Sequence, residues 1–104
     1  MVQMYTALRD NVLKGCADLE VTSTASKGYL TFYAANHNRN SFANISISSS
    51  RIRVLIKEPI DESLRSLGQN ISGNYNFHFD ISVDDNSDLQ LVADAIIDSY
   101  HQCI

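Results

Sequence analysis

The feature that most constrains this chain is period-two alternation through its middle, bracketed by helical periodicity at both ends. In residues 29–35, Leu30, Phe32 and Ala34 fall on one side and Tyr29, Thr31 and Tyr33 on the other. Residues 42–48 set Ala43, Ile45 and Ile47 against Asn44, Ser46 and Ser48. Residues 51–57 set Ile52, Val54 and Ile56 against Arg51, Arg53, Leu55 and Lys57. Strand side chains alternate between faces, so each run reads as a strand with one apolar and one polar side. The polar stretch 36–41 and Ser49-Ser50 are turn signals. Short strands joined by short turns predict an antiparallel meander.

A fourth strand is the clearest: Phe77, Phe79, Ile81 and Val83 alternate with Asn76, His78, Asp80 and Ser82. Pro59 stops the third strand, because it has no N–H for the ladder. Residues 61–65 predict one or two helical turns ending near Gly68, and residues 69–74 read as a Gly/Asn-rich loop. Leu19-Glu20-Val21-Thr22 is expected to add a short edge strand. At the N-terminus, Met1, Met4 or Tyr5, Leu8, Val12 and Cys16 form an amphipathic helical stripe that Gly15 terminates. At the other end, Ser87-Asp88-Leu89-Gln90 has capping-box spacing, with Ser87 as N-cap. Leu89, Val92, Ala93, Ile96 and Tyr100 continue as a helical stripe.

These elements predict an α+β, two-layer sandwich. Its antiparallel sheet has four to five strands, with the N- and C-terminal helices packed on one face. Surface scaling for 104 residues gives about 5,800 Å² folded against about 16,800 Å² unfolded, enough for one core and a single domain over 1–104. No apolar run reaches the length of a membrane span, and residues 1–7 lack the regions of a signal peptide. Cys16 and Cys103 are therefore expected to be reduced thiols of a cytoplasmic protein.

The net charge of −4 is unevenly distributed. Residues 21–57 hold Lys27, Arg39, Arg51, Arg53 and Lys57 with no acid, a net of +5, whereas residues 58–104 carry −8. Strand alternation puts Tyr29, Tyr33, Arg51, Arg53 and Lys57 on the polar side of the sheet, joined by His78 and Asp80. Tyr, Arg and Lys on an open sheet can stack bases and hold phosphates, or can meet a protein.

Catalytic and metal signatures do not emerge. His101-Gln102-Cys103 is the single close His/Cys pair, too little for a zinc site. Asp84, Asn86 and Asp88 start like a calcium loop, but Leu89 stands where Gly is required. The glycines form no phosphate-binding loop. Cys16 falls on a buried stripe, where cysteine acts as a small hydrophobe. No catalytic residue, metal or cofactor is expected.

The segments Lys27-Gly28-Tyr29-Leu30-Thr31-Phe32-Tyr33, Phe42-Ala43-Asn44-Ile45 and Ile52-Arg53-Val54-Leu55-Ile56 carry a likeness to a known family. So do Asn70-Ile71-Ser72-Gly73, the strand from Phe77 to Val83, and Ser87-Asp88-Leu89 opening the last helix. Over nearly the whole chain they resemble a small bacterial domain family of unknown function formerly labelled "predicted transport protein". Its members occur alone or at the C-terminus of proteins resembling modification-dependent restriction systems. The family's Gly-His-Trp-Gly-like stretch is replaced here by Gly73-Asn74-Tyr75-Asn76. The resemblance implies the same fold, a cytoplasmic setting and a lean toward DNA-related defence or signalling.

The expected function is a binding or assembly module acting through Tyr29, Tyr33, Arg51, Arg53, Lys57 and His78. Its expected partner is another protein or a second copy, with no membrane involved. The alternative is a nucleic-acid-binding accessory domain of a DNA-defence or restriction-type system. A small enzyme is the least favoured reading.

Overall fold

Helix α1 spans Val2–Gly15 and buries Tyr5, Leu8 and Val12 along one stripe, which Cys16 extends into the core. Four strands follow as a meander: β1 Leu19–Thr24, β2 Tyr29–Ala34, β3 Asn40–Ile47 and β4 Ile52–Ile56. The computed structural model describes residues 2–24, 28–72 and 76–104, so Lys27 and the loop residues Gly73, Asn74 and Tyr75 lie outside the described residues. A 3-10 helix, Glu62–Leu67, carries the chain to the far edge of the sheet. Asp61 caps it by accepting from the Ser63 N–H, and Asp98 accepts from the Ile60 and Asp61 amides to hold its start. Strand β5 (Gln69–Asn70), strand β6 (Phe79–Val83) and helix α2 (Leu89–Gln102) complete the chain.

The sheet has six strands in the order β1-β2-β3-β4-β6-β5, every neighbouring pair antiparallel. Both helices lie over the same face. Their buried residues join Phe32, Ile45, Val54, Ile56, Phe79 and Ile81 in one core cluster. The α+β sandwich is therefore the fold, with two strands differing from expectation. Leu19–Thr24 is a full edge strand. Gln69–Asn70, read as loop, pairs with Asp80 and Phe79; two residues are too few to display alternation. Strand β6 starts at Phe79, two residues later than Phe77, although Phe77 is still buried.

One residue departs from the period-two pattern, and the expected helix cap is corrected. Phe42 falls on the polar side by strict alternation, yet it is fully buried. Phe32 pairs with Ala43 while Tyr33 pairs with Ser41, so Phe42 is the extra residue of a β-bulge. Its ring meets those of Phe32 and Tyr100 edge-on, with centroids 6.1 and 5.2 Å apart. The N-cap of α2 is Asp88, one residue after Ser87: its carboxylate accepts from the Gln90 and Leu91 amides at 3.0 and 3.2 Å. Ser87 instead closes the preceding turn, accepting from the Asp84 N–H.

The accessible surface is 5,856 Å², close to the value scaled from chain length. Among the described residues, no helix is long and apolar enough to cross a membrane.

Candidate functional site

With both helices on one side, the other face of the sheet is uncovered among the described residues, and strand register arranges its side chains in rows. One row runs Ser46, Arg53, Ser82 from β3 to β6, and Tyr29, the residue before the Leu30↔Ile45 pair, continues it onto β2; the next runs Thr22, Thr31, Asn44, Leu55, Asp80 and ends on Gln69 of β5. A third begins Glu20, Tyr33, Ser41. The two tyrosines on β2 are four positions apart, about 13 Å at strand rise, so they stand at opposite ends of the strand. Between them Thr31 donates its hydroxyl to Asn44 Oδ1 at 3.1 Å and is itself buried by its neighbours.

The six residues expected on this face separate into groups. Tyr29 and Arg53 share a row, and exposed Arg51 continues the same parity just before β4. Tyr33 stands at the far end beside β1. Lys57 is half-buried at the end of β4; it donates to the Asn76 carbonyl at 3.3 Å and helps line a cavity of about 320 Å³ with Ser41 and Cys103. His78 is exposed just before β6, its N–H bonded to the Ile56 carbonyl.

The sheet's charge is not the +5 counted along the chain. Arg53 Nε donates to Asp80 Oδ2 at 3.1 Å, across the β4–β6 ladder. Arg39 pairs with Glu20 of β1, and its guanidinium lies 4.8 Å over the Tyr33 ring. Both acids come from outside residues 21–57, and folding sets them beside the arginines. Among the described residues, Arg51 forms no ion pair.

A second polar cluster, at the end of the helix layer, was not singled out in the sequence. Asp18, its side chain 7% exposed, accepts from the Tyr100 hydroxyl at 2.6 Å, the Asn36 N–H at 3.0 Å and His37 Nδ1 at 3.0 Å. Asp18 is an acceptor, so the hydrogen of this bond sits on His37 Nδ1. The Tyr100 hydroxyl foremost, with the Asn36 amide and His37, holds the Asp18 carboxyl at about 2 against the opposing effect of burial. The same bond, helped by desolvation, pushes the Tyr100 phenol up to about 12. The cluster ties the α1–β1 connection, the β2–β3 turn and the C-terminal turn of α2 together. No sequence signal pairs residues 82 positions apart.

This clamp gives stability a defined pH dependence. The unfolded Asp18 binds protons more readily than the folded one, so its contribution is complete above pH 3.8 and is lost as pH falls toward about 2. Tyr100 acts in the opposite range. Unfolded, it gives up its proton near 10.0, so its contribution is lost as pH rises from there toward about 12. Asp18→Asn is expected to flatten both limbs of a plot of urea midpoint against pH. Limbs as steep as wild type would show that the slopes arise elsewhere.

Burial shifts both thiols away from the reactive thiolate. Burial, with Asp18 nearby, raises the Cys16 thiol to about 12, so it stays protonated at neutral pH. Burial also raises Cys103. A cavity of about 340 Å³ between the 3-10 helix and α2 is lined by Asp61, Asp94, Asp98 and His101. Asp61 and Asp98 there hold backbone amides, and Asp94 accepts from Gln90. Among the described residues, no group of three His, Cys, Asp or Glu could hold a metal ion.

Comparisons with models of known protein families, with curated proteins and with solved structures found no match.

Proposed function

We propose that this chain is a non-catalytic binding and assembly module that engages a protein partner through the uncovered face of its sheet. The observation that carries this reading is the one-sided placement of the helices, which leaves Tyr29, Tyr33 and Arg53 standing among Thr, Asn and Ser. Tyr and Arg are enriched in protein interfaces, where they supply contact area and hydrogen bonds together. The internal charge balance favours a polar, uncharged partner surface. Phosphate binding needs cations free to displace counterions, and base stacking needs free ring faces. Arg53 and Arg39 are already paired, and Arg39 occupies a face of Tyr33. The proposed setting is the bacterial cytoplasm, in keeping with the family resemblance and the two free cysteines.

A photo-reactive residue in place of Ser46, mid-face on β3, tests the reading. It is expected to give discrete protein adducts in cells, and Tyr29→Ala/Arg51→Glu is expected to abolish them while the far-UV spectrum is unchanged. Adducts that survive the double substitution, or that form equally from Glu62 on the helix layer, would remove the face as the site. Fluorescent single- and double-stranded oligonucleotides are expected not to bind at low salt. Tight binding that weakens steeply with salt would transfer the reading to nucleic acid.

A further inference from the structure

We infer that the free edge of β1 is a self-association edge that pairs antiparallel with β1 of a second copy of this chain. The inference is independent of the role proposed for the sheet face. The two edges of the sheet differ. Strand β5 is only two residues long, whereas β1 pairs with β2 through six consecutive positions, from Leu19↔Ala34 to Thr24↔Tyr29, with no shift in register. An exposed edge offers unpaired N–H and C=O groups, and soluble proteins blunt such edges with Pro, Lys, bulges or short length. None of these devices occurs in Leu19–Thr24, and its one charge, Glu20, is neutralised by Arg39 of the same chain.

Hydrogen-bond parity says which groups are free. The Ala35 N–H donates to the Asp18 carbonyl at 3.0 Å, so Asp18 and Ala35 form a hydrogen-bonded pair at the start of the ladder. In an antiparallel pair these alternate with non-bonded pairs. Glu20, Thr22 and Thr24 therefore turn their backbone groups to β2, and Val21 and Ser23 turn theirs outward. The Leu19 carbonyl also points outward, while its N–H is used by the Cys16 carbonyl. The odd positions are also those on the helix side of the sheet, where Leu19 and Val21 pack against the core.

A second copy satisfies both conditions when the twofold axis passes through Val21. Val21 then exchanges backbone hydrogen bonds with Val21 of the second copy, and the Ser23 N–H reaches the Leu19 carbonyl across the axis. Leu19 and Val21 of each copy continue the helix side, with Ser23 opposite Leu19, and Glu20 and Thr22 continue the open face. Glu20 falls opposite Thr22 of the second copy, so no acid meets an acid. The two sheets become one.

Sedimentation equilibrium on the full chain, from micromolar to millimolar, tests the pairing. The expected mass is twice 11.6 kDa at the upper end. Val21→Pro removes an outward N–H that makes no bond to β2, and is expected to give the monomer mass with an unchanged far-UV spectrum. Thr22→Glu sets a carboxylate opposite Glu20 of the second copy and is expected to weaken association about tenfold at low salt, an effect that salt relieves. Thr22→Lys is expected to retain or tighten it. If Val21→Pro does not fold, the opposite responses of the two Thr22 variants decide alone. A monomer at every concentration, or a dimer that none of these variants alters, overturns the pairing. So does a dimer broken by Arg51→Glu but not by Thr22→Glu, since that dimer would use the sheet face.

Discussion

Phe42→Ala is expected to destabilise the protein by about 3–5 kcal/mol, a large part of the total stability of a domain this size. Strict alternation would place Phe42 among solvated polar residues and make its truncation nearly silent. The bulge turns it inward, where it is fully buried between Phe32 and Tyr100. Its backbone is anchored as well. The buried Ser99 hydroxyl donates to the Phe42 carbonyl at 2.6 Å and accepts the Lys57 N–H at 3.1 Å. Those bonds join β3, β4 and α2 at one point, so the cavity left by the ring is rigidly framed and has little scope to collapse. Urea denaturation measures the loss. A change within about 0.5 kcal/mol, the range of surface substitutions, would return Phe42 to the outer face.

Gly68→Ala is expected to cost about 3 kcal/mol, at the upper end of what forced overpacking costs. The backbone at Gly68 is extended, with φ −157° and ψ −154°, so any residue could adopt it. Space is the obstacle. A Cβ there would lie 2.2 Å from the Asp80 carbonyl oxygen, 2.9 Å from its carbon and 3.0 Å from Ile81 Cγ1. The first two obstructing atoms are backbone of β6, itself held by β4, so the 3-10 helix and β5 must move instead. Amide exchange is therefore expected to quicken at Ile71, whose N–H donates to the His78 carbonyl, while β2 and β3 keep their protection. A thermal midpoint equal to wild type would show that the close approach is relieved without cost.

The two helices and the strands β2, β3, β4 and β6 were legible because each carries its own periodicity within a few consecutive residues. The departures share a different character. The side taken by Phe42 depends on one extra residue in β3 relative to β2, and alternation within β3 does not register a partner's count. Asp88 displaces Ser87 as cap because its carboxylate reaches two amides at once. Strand β5 is too short to show any period, and it takes its place beside β6 from where the 3-10 helix delivers it. The cluster of Asp18, His37 and Tyr100 joins three segments that are unremarkable one at a time.

Charge shows the same division. Counted along the chain, residues 21–57 are wholly basic, which suggested a surface for anions. Pairing β1 with β2 and inserting β6 between β4 and β5 brings Glu20 and Asp80 to Arg39 and Arg53, leaving a nearly balanced face. Period-two and helical patterns were sufficient to establish two layers, one apolar face per element and helices on a single side, because these are properties of neighbouring residues. Sheet order, the bulge, the ion pairs and the long free edge at β1 arose on folding, because each depends on which distant segment lies alongside. Coulomb attraction and hydrogen bonding act across a few ångströms of space, whatever the separation along the chain.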